Sequence, residues 1–133
     1  MSGVELELEW IAGRFAVCRL PATAEIPQWV PAGGGLISIT RTDRELSIIA
    51  AEQAVPDDVP AERGWVVMRI MGTLDFSAVG VLAKLSGALA GAGVGVLAIS
   101  TYETDILLVK SADAQRAVRA LGAVADVARL GGS

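Results

Sequence analysis

Histidine is missing from the chain altogether. Without imidazole there is no histidine-based triad, no histidine general acid or base and no histidine metal ligand. A single cysteine, Cys18, leaves no internal disulfide and no cysteine-pair metal site. It lies in an apolar run, where a buried, inert thiol is favoured over a reactive one. Aromatics are scarce, with one Tyr, two Phe and three Trp, so the core must be built from aliphatic side chains. No run of Lys or Arg occurs and the net charge is -4, which excludes nucleic acid as a partner class because phosphate binding needs a basic face. The longest apolar run, 88–99, is rich in glycine and too short to span a bilayer. The opening residues lack a basic stretch followed by an apolar one, so no signal peptide is expected. A cytoplasmic protein with no membrane partner, no cofactor and no metal is the resulting expectation.

The 133 residues present suffice for one substantial core or two small, closely packed subdomains. Val4 to Trp10 alternates Val, Leu, Leu and Trp with Glu5, Glu7 and Glu9, the pattern of a strand with one wet face. Gly13-Arg14 reads as a turn and Phe15 to Leu20 as the antiparallel return. The stretch 21–35 is loop-like, with three prolines, a short helical turn near Ile26 to Val30, and Gly33-Gly34-Gly35. That glycine triplet lacks the Gly-Lys-Ser/Thr of a phosphate loop and precedes a strand, so a connector is favoured. Leu36 to Thr40 and Leu46 to Ala51 read as strands joined by a charged hairpin loop, and 55–64 as a linker.

The second half opens with a strand at Trp65 to Met71. Val81, Leu82, Leu85 and Leu89 recur at three- and four-residue steps, predicting a helix over Ser77 to Ala90. Asp75 or Ser77 would cap its start and Gly91 or Gly93 its end. Gly80 and Gly87 inside it predict close packing against a neighbour. Val94 to Ser100 reads as a central strand, apolar on both faces, with Asp105 to Lys110 as its hairpin partner. A second helix, capped by Ser111 or Asp113, carries Ala114, Val118 and Leu121 on one side and is stopped by Gly122. Ala123 to Leu130 would be the last strand, before a frayed Gly131-Gly132-Ser133. The order β-α-β-β-α-β is the ferredoxin-like plan, and the first half reads as a degenerate copy with its first helix reduced to loop. The expected fold is α+β: two units, 1–60 and 61–133, with an antiparallel sheet and helices on one face.

Three segments carry a family resemblance. They are Ile37 to Thr42 leading into Glu45-Leu46-Ser47-Ile48, then Gly72 to Gly80 (G-T-L-D-F-S-A-V-G), and Ser100 to Asp105 (S-T-Y-E-T-D) followed by an apolar strand. Together they resemble the ACT domain superfamily, and more narrowly the small bacterial tandem-ACT proteins related to the CASTOR arginine sensors of animals. The resemblance implies a regulatory module that binds an amino acid or similar small zwitterion between ACT units, as a homodimer. It implies that the loop Gly72 to Gly80 holds the ligand's main-chain end and that Asp105 contacts it. The resemblance covers one pair of units in these 133 residues where the animal sensors have two, and none of them reads as an enzyme or transport domain.

Read independently, an amino acid needs converging N–H donors for its carboxylate, which the amides and dipole at the start of the Ser77 helix would supply. Its ammonium needs acceptors, for which Asp75, Asp105, Ser100 or a strand-edge carbonyl are available. Gly72 and Gly80 would clear room for a ligand. The candidate ligand-binding residues are Gly72, Asp75, Phe76, Ser77, Gly80, Ile99, Ser100, Thr101, Thr104 and Asp105. From spacing alone, Asp75 and Ser77 are ordinary N-caps, Thr101, Thr104 and Asp105 satisfy a hairpin turn, and Phe76 is core. The three motifs taken together tip the reading toward a site. Arg69 and the Glu5, Glu7, Glu9 series read as solvated strand faces. Three functions follow: a non-enzymatic amino-acid sensor, preferred; an ACT-type dimerisation or interaction module without ligand; and a small enzyme using Asp75 and Asp105.

Overall fold

A computed structural model of the chain describes residues 6–71 and 78–127. Two units are distinguished, and the first is drawn from two stretches of chain: residues 1–11 with 66–133, the second being 12–65. The linker-like composition before Ala61 had suggested a division at residue 60. The strand that follows it, however, starts in one unit and ends in the other.

Strand β1 (Glu7–Leu20) runs through Gly13 without reversing, so the expected hairpin there is absent. Gly13 takes φ 97, a conformation side chains resist, and absorbs the irregularity in line. The partner of Phe15 to Leu20 is therefore not the chain before it but β3 (Leu46–Ala51), in antiparallel register from Phe15↔Ala51 to Leu20↔Leu46.

In the second unit β3 also pairs antiparallel with β2 (Ser38–Arg41). The loop between them turns as expected: the Thr42 amide donates to the Glu45 carbonyl at 2.9 Å, and the Thr42 hydroxyl oxygen accepts from the Arg44 and Glu45 amides. The unit's core is Ala16, Cys18, Val30, Leu46, Ile48, Ala50 and Val55. The proline-rich stretch over it is a chain of turns, with Val30 N–H to Pro27, Ala32 N–H to Trp29 and Gly34 N–H to Pro31, rather than a helix. Its glycine triplet is a packing device: a Cβ on Gly33 would stand 2.1 Å from the Ala51 Cβ. The stretch read as linker is ordered by side chains. Glu52 accepts the Gly64 amide at 2.7 Å, and Arg63 donates to the Glu52 and Pro56 carbonyls.

In the first unit β4 (Ala61–Met71) starts four residues earlier than its apolar run suggested. It neighbours β6 (Asp105–Lys110), which pairs antiparallel with β5 (Leu97–Ser100). The opening of β1 pairs in parallel with β7 (Asp126–Val127), the described part of the last strand. Helices α1 (Ala78–Gly91) and α2 (Ala114–Leu121) cover one face. Val81, Leu85 and Leu89 of α1 meet Ala117 and Leu121 of α2 over Leu6, Leu8, Met68, Ile70, Leu107 and Val109. The α+β, ferredoxin-like plan with an antiparallel sheet and two helices is thus the fold.

Several local expectations change. The edge strand here is β5, with Leu97 exposed, while β6 beside it is buried on both faces. The same apolar run could serve either place, and only pairing decides. In α2 Leu121 is fully buried as expected, but its buried companion is Ala117 rather than Ala114 or Val118, which are half-buried. Asp113 stands at its N-cap position without a cap bond, because its carboxylate pairs with Arg116 at 2.5 Å. Gly122 stays right-handed at the helix end. The end of α1 follows the expectation: Gly93 at φ 74 donates to Ala90, and Val94 to Leu89, closing a Schellman motif. Arg69 and Glu9, both read as solvated, form an exposed pair at 3.0 Å.

Gly33→Ala should destabilise the protein by about 1–3 kcal/mol, the cost of overpacking, measured by urea denaturation. Cys18 is buried and unpaired, and burial raises its thiol pKa, opposed weakly by the charge of Arg63. The folded thiol therefore keeps its proton above pH 9.0, where the unfolded one loses it. The contribution of this group is complete below that pH and declines as pH rises toward the folded pKa. Cys18→Ala should flatten that alkaline decline in a pH series of denaturation midpoints.

Candidate functional site

The hairpin between β5 and β6 closes on a two-residue tip, Tyr102 and Glu103. The Thr101 amide donates to the Thr104 carbonyl at 2.8 Å and the Thr101 hydroxyl donates to the same oxygen at 3.0 Å. The Thr104 amide donates back to the Thr101 hydroxyl oxygen at 3.1 Å. Short polar side chains that mimic backbone donors and acceptors are what make such a tight turn cheap. The Thr104 hydroxyl is not spent on the turn: it donates to the Ile70 carbonyl at 2.7 Å, near the end of β4.

Asp105 opens β6 and is 7% exposed, a buried charged side chain among aliphatic ones. Ser100 is its cross-strand partner, and the Ser100 hydroxyl donates to Asp105 Oδ1 at 2.6 Å. Among the described residues no other side chain bonds the carboxylate and no Lys or Arg pairs with it. Side chains alternate along a strand, so Asp105 shares its face with Leu107 and Val109. Those two pack beneath α1 and α2. The carboxylate therefore lies on the helix-covered face, at the end of the sheet where β4 finishes.

Of the residues expected to bind ligand, the structure gathers Ser100, Thr101, Thr104 and Asp105 into one hydrogen-bonded group. Ile99 sits in β5 beside them, half-buried and paired with Ile106. Gly80 lies in the first turn of α1, exposed, and a Cβ there would meet nothing within 4 Å. The same holds for Gly87, so neither glycine serves the close packing its place in a helix suggested. Gly72, Asp75, Phe76 and Ser77 lie outside the described residues. What the sequence reading missed was a main-chain group, the Ile70 carbonyl. Its only signal was a hydroxyl residue at the start of a strand whose neighbour was not yet known.

Among the described residues no group of three or more His, Cys, Asp or Glu is placed to hold a metal ion. No described helix is long and apolar enough to cross a membrane.

A family model described as ACT domain matches residues 61–123. The protein Atu0741 of Agrobacterium tumefaciens, known from its crystal structure, is 33% identical over 95% of this chain and 94% of its own, with a TM-score of 0.88. Residues 61–123 are an ACT domain, and the chain as a whole is a relative of Atu0741. A second model, described as an N-terminal domain, matches 13–58, so the ACT match and this one fall on either side of Pro60. The Vibrio cholerae protein VC0802, a protein of unknown function, shares the ACT fold at 21% identity and a TM-score of 0.74, over 90% of this chain and 89% of its own. So does the ligand-free regulatory subunit of aspartate kinase from Thermus thermophilus, at 17% identity and a TM-score of 0.55, over 87% and 93%. Among curated proteins none matches.

Because Gly80 of the ACT domain has open space around it, Gly80→Ala should leave the fold intact. It should raise stability by about 0.5–1 kcal/mol, the usual gain from replacing a helical glycine. Gly87→Ala should do the same, and thermal melts of the two variants check it.

Proposed function

We propose that this ACT protein is a regulatory sensor that binds an amino acid or similar small zwitterion, and that Asp105 receives the ligand's cationic group. The observation that carries this reading is the state of that carboxylate. It is withdrawn from water, holds one hydroxyl donor, and has no cation among the described residues. A buried charge is normally paired, because leaving it unpaired costs several kcal/mol. An incoming ammonium would supply the missing partner, and a charge-assisted hydrogen bond of this kind contributes about 1.5–3 kcal/mol.

The ligand's carboxylate is assigned to the stretch 72–80, for the donor amides that a helix start offers. Ile99, paired with Ile106, projects from the other face of the sheet and is not assigned to the ligand. Ser100, Thr101 and Thr104 support Asp105 rather than the ligand, since each hydroxyl hydrogen is already committed within the chain. The similarity in fold to a regulatory subunit of aspartate kinase supports sensing as the reading. We read the protein as a homodimer: β5 is an edge strand that exposes Leu97 and has no charged residue to discourage pairing with a second copy.

Titration calorimetry against the common amino acids should give a saturable signal with at least one. Asp105→Asn should weaken that binding about tenfold or more, equivalent to about 1.4 kcal/mol. No heat from any of them, together with no small molecule retained in a native mass spectrum of protein from its host, would reject the reading. The same spectrum counts the subunits.

A further inference from the structure

Thr104 stands next to Asp105 in the chain, and its three polar groups go to different places. Its amide donates to the Thr101 hydroxyl oxygen and its carbonyl accepts from the Thr101 amide and hydroxyl, so its main chain belongs to the turn. Its hydroxyl leaves the turn and reaches across to β4, donating to the Ile70 carbonyl at 2.7 Å. The same hydroxyl lies 3.4 Å from the Asp105 carbonyl. One proton cannot serve both well, and the shorter contact is the bond.

The two strands are neighbours in the sheet. The main chain of Thr104 is spent on Thr101, towards β5, so only its side chain turns towards β4. The hydroxyl ties the start of the hairpin strand to the main chain of β4 at Ile70. Threonine suits the task because branching at Cβ stiffens χ1 and fixes where the oxygen stands. Serine offers the same donor with more freedom. Valine has the shape without the donor.

We propose that Thr104 is the positioning residue of the Asp105 site. By holding the start of β6 against the Ile70 carbonyl, its hydroxyl sets where the carboxylate meets a ligand. The proposal rests on the amino-acid-binding reading above and adds a residue that need not touch the ligand. Without the bond, the turn and the Ser100–Asp105 contact can both persist, yet the tip end of the hairpin gains freedom to shift relative to the end of β4. A carboxylate moved by a fraction of an ångström loses a charge-assisted bond whose strength depends on distance and angle.

The test compares wild type with Thr104→Val, Thr104→Ala and Thr104→Ser. Calorimetry is run with whichever common amino acid the wild type binds, and thermal melts with each variant. The expected result is a loss of affinity of about tenfold in Val and Ala, and retention within about threefold in Ser. This loss should persist at temperatures where every variant is fully folded. A merely structural bond would lower the melting temperature and leave the affinity of the folded protein unchanged, which overturns the proposal. So does a serine variant as weak as valine, since the hydroxyl would then not be the cause. If neither hydroxyl-less variant folds, Thr104 belongs to the fold and the proposal fails. A wild type that binds no amino acid defeats the functional reading first and this inference with it. A wild type that binds while all three variants match it defeats the inference alone.

Discussion

A carboxylate removed from water has to be met by donors, and the opening of β6 is arranged around that requirement at Asp105. The hairpin tip provides almost all of its own hydrogen bonding through Thr101 and Thr104, which lets the turn be short. A short turn puts Ser100 directly across from Asp105, where its hydroxyl reaches one carboxylate oxygen. The remaining hydroxyl, from Thr104, ties the arrangement to β4. The hydroxyls of Ser100, Thr101 and Thr104 are thus assigned, and among the described residues the Asp105 carboxylate has one donor. An interior that otherwise consists of Leu, Val, Ile and Met makes this consequential, because a low-dielectric setting strengthens whatever charge eventually pairs with the carboxylate.

The glycines divide according to what surrounds them. Gly33 cannot carry a side chain, since the Ala51 methyl occupies the place. Gly93 is needed for its positive φ at the end of α1. Gly80 and Gly87 have neither reason within the described residues: both are exposed on α1 with clear space above them. A helix that gives up about 1 kcal/mol at each of two positions with no packing gain is weaker than its leucines alone would make it. Its anchoring to the sheet then depends on Val81, Leu85 and Leu89 and on the Schellman closure at its end.

How much of this was legible beforehand depended on whether the deciding contact was local. The periodicity of Val81, Leu85 and Leu89 marked α1 to within a residue, because a helix is specified by neighbours three and four apart. The charged loop after β2 and the glycine stop after α1 were legible for the same reason. The turn at Gly13 was misread, since alternation cannot tell a strand that reverses from one that continues, and the partner of Phe15 to Leu20 lies 26 to 36 residues downstream in β3. Val94 to Ser100 was placed centrally because an apolar run looks the same at the edge of a sheet as at its middle. In the candidate site, the residue types at Ser100, Thr101, Thr104 and Asp105 were visible, whereas their division of labour was not. Which hydroxyls are committed depends on the Ile70 carbonyl, which no side-chain pattern reports.

If Asp105 receives a ligand's cation as proposed, the magnitudes suit recognition better than catalysis. One charge-assisted hydrogen bond of about 1.5–3 kcal/mol changes an affinity by about ten- to a hundredfold, ample to select ligands that bear a cation. Enzymes lower barriers by about 8 kcal/mol at the least, which takes a second group to move a proton or stabilise developing charge. Ser100, Thr101 and Thr104 commit their hydroxyl hydrogens to Asp105, the Thr104 carbonyl and the Ile70 carbonyl, so none is poised as a nucleophile or acid. The chain also has no histidine to serve as the partner that a lone carboxylate would require. On the proposed reading, a site that fixes one acceptor firmly and keeps its neighbours occupied would discriminate between ligands without changing them, the property a regulatory module needs.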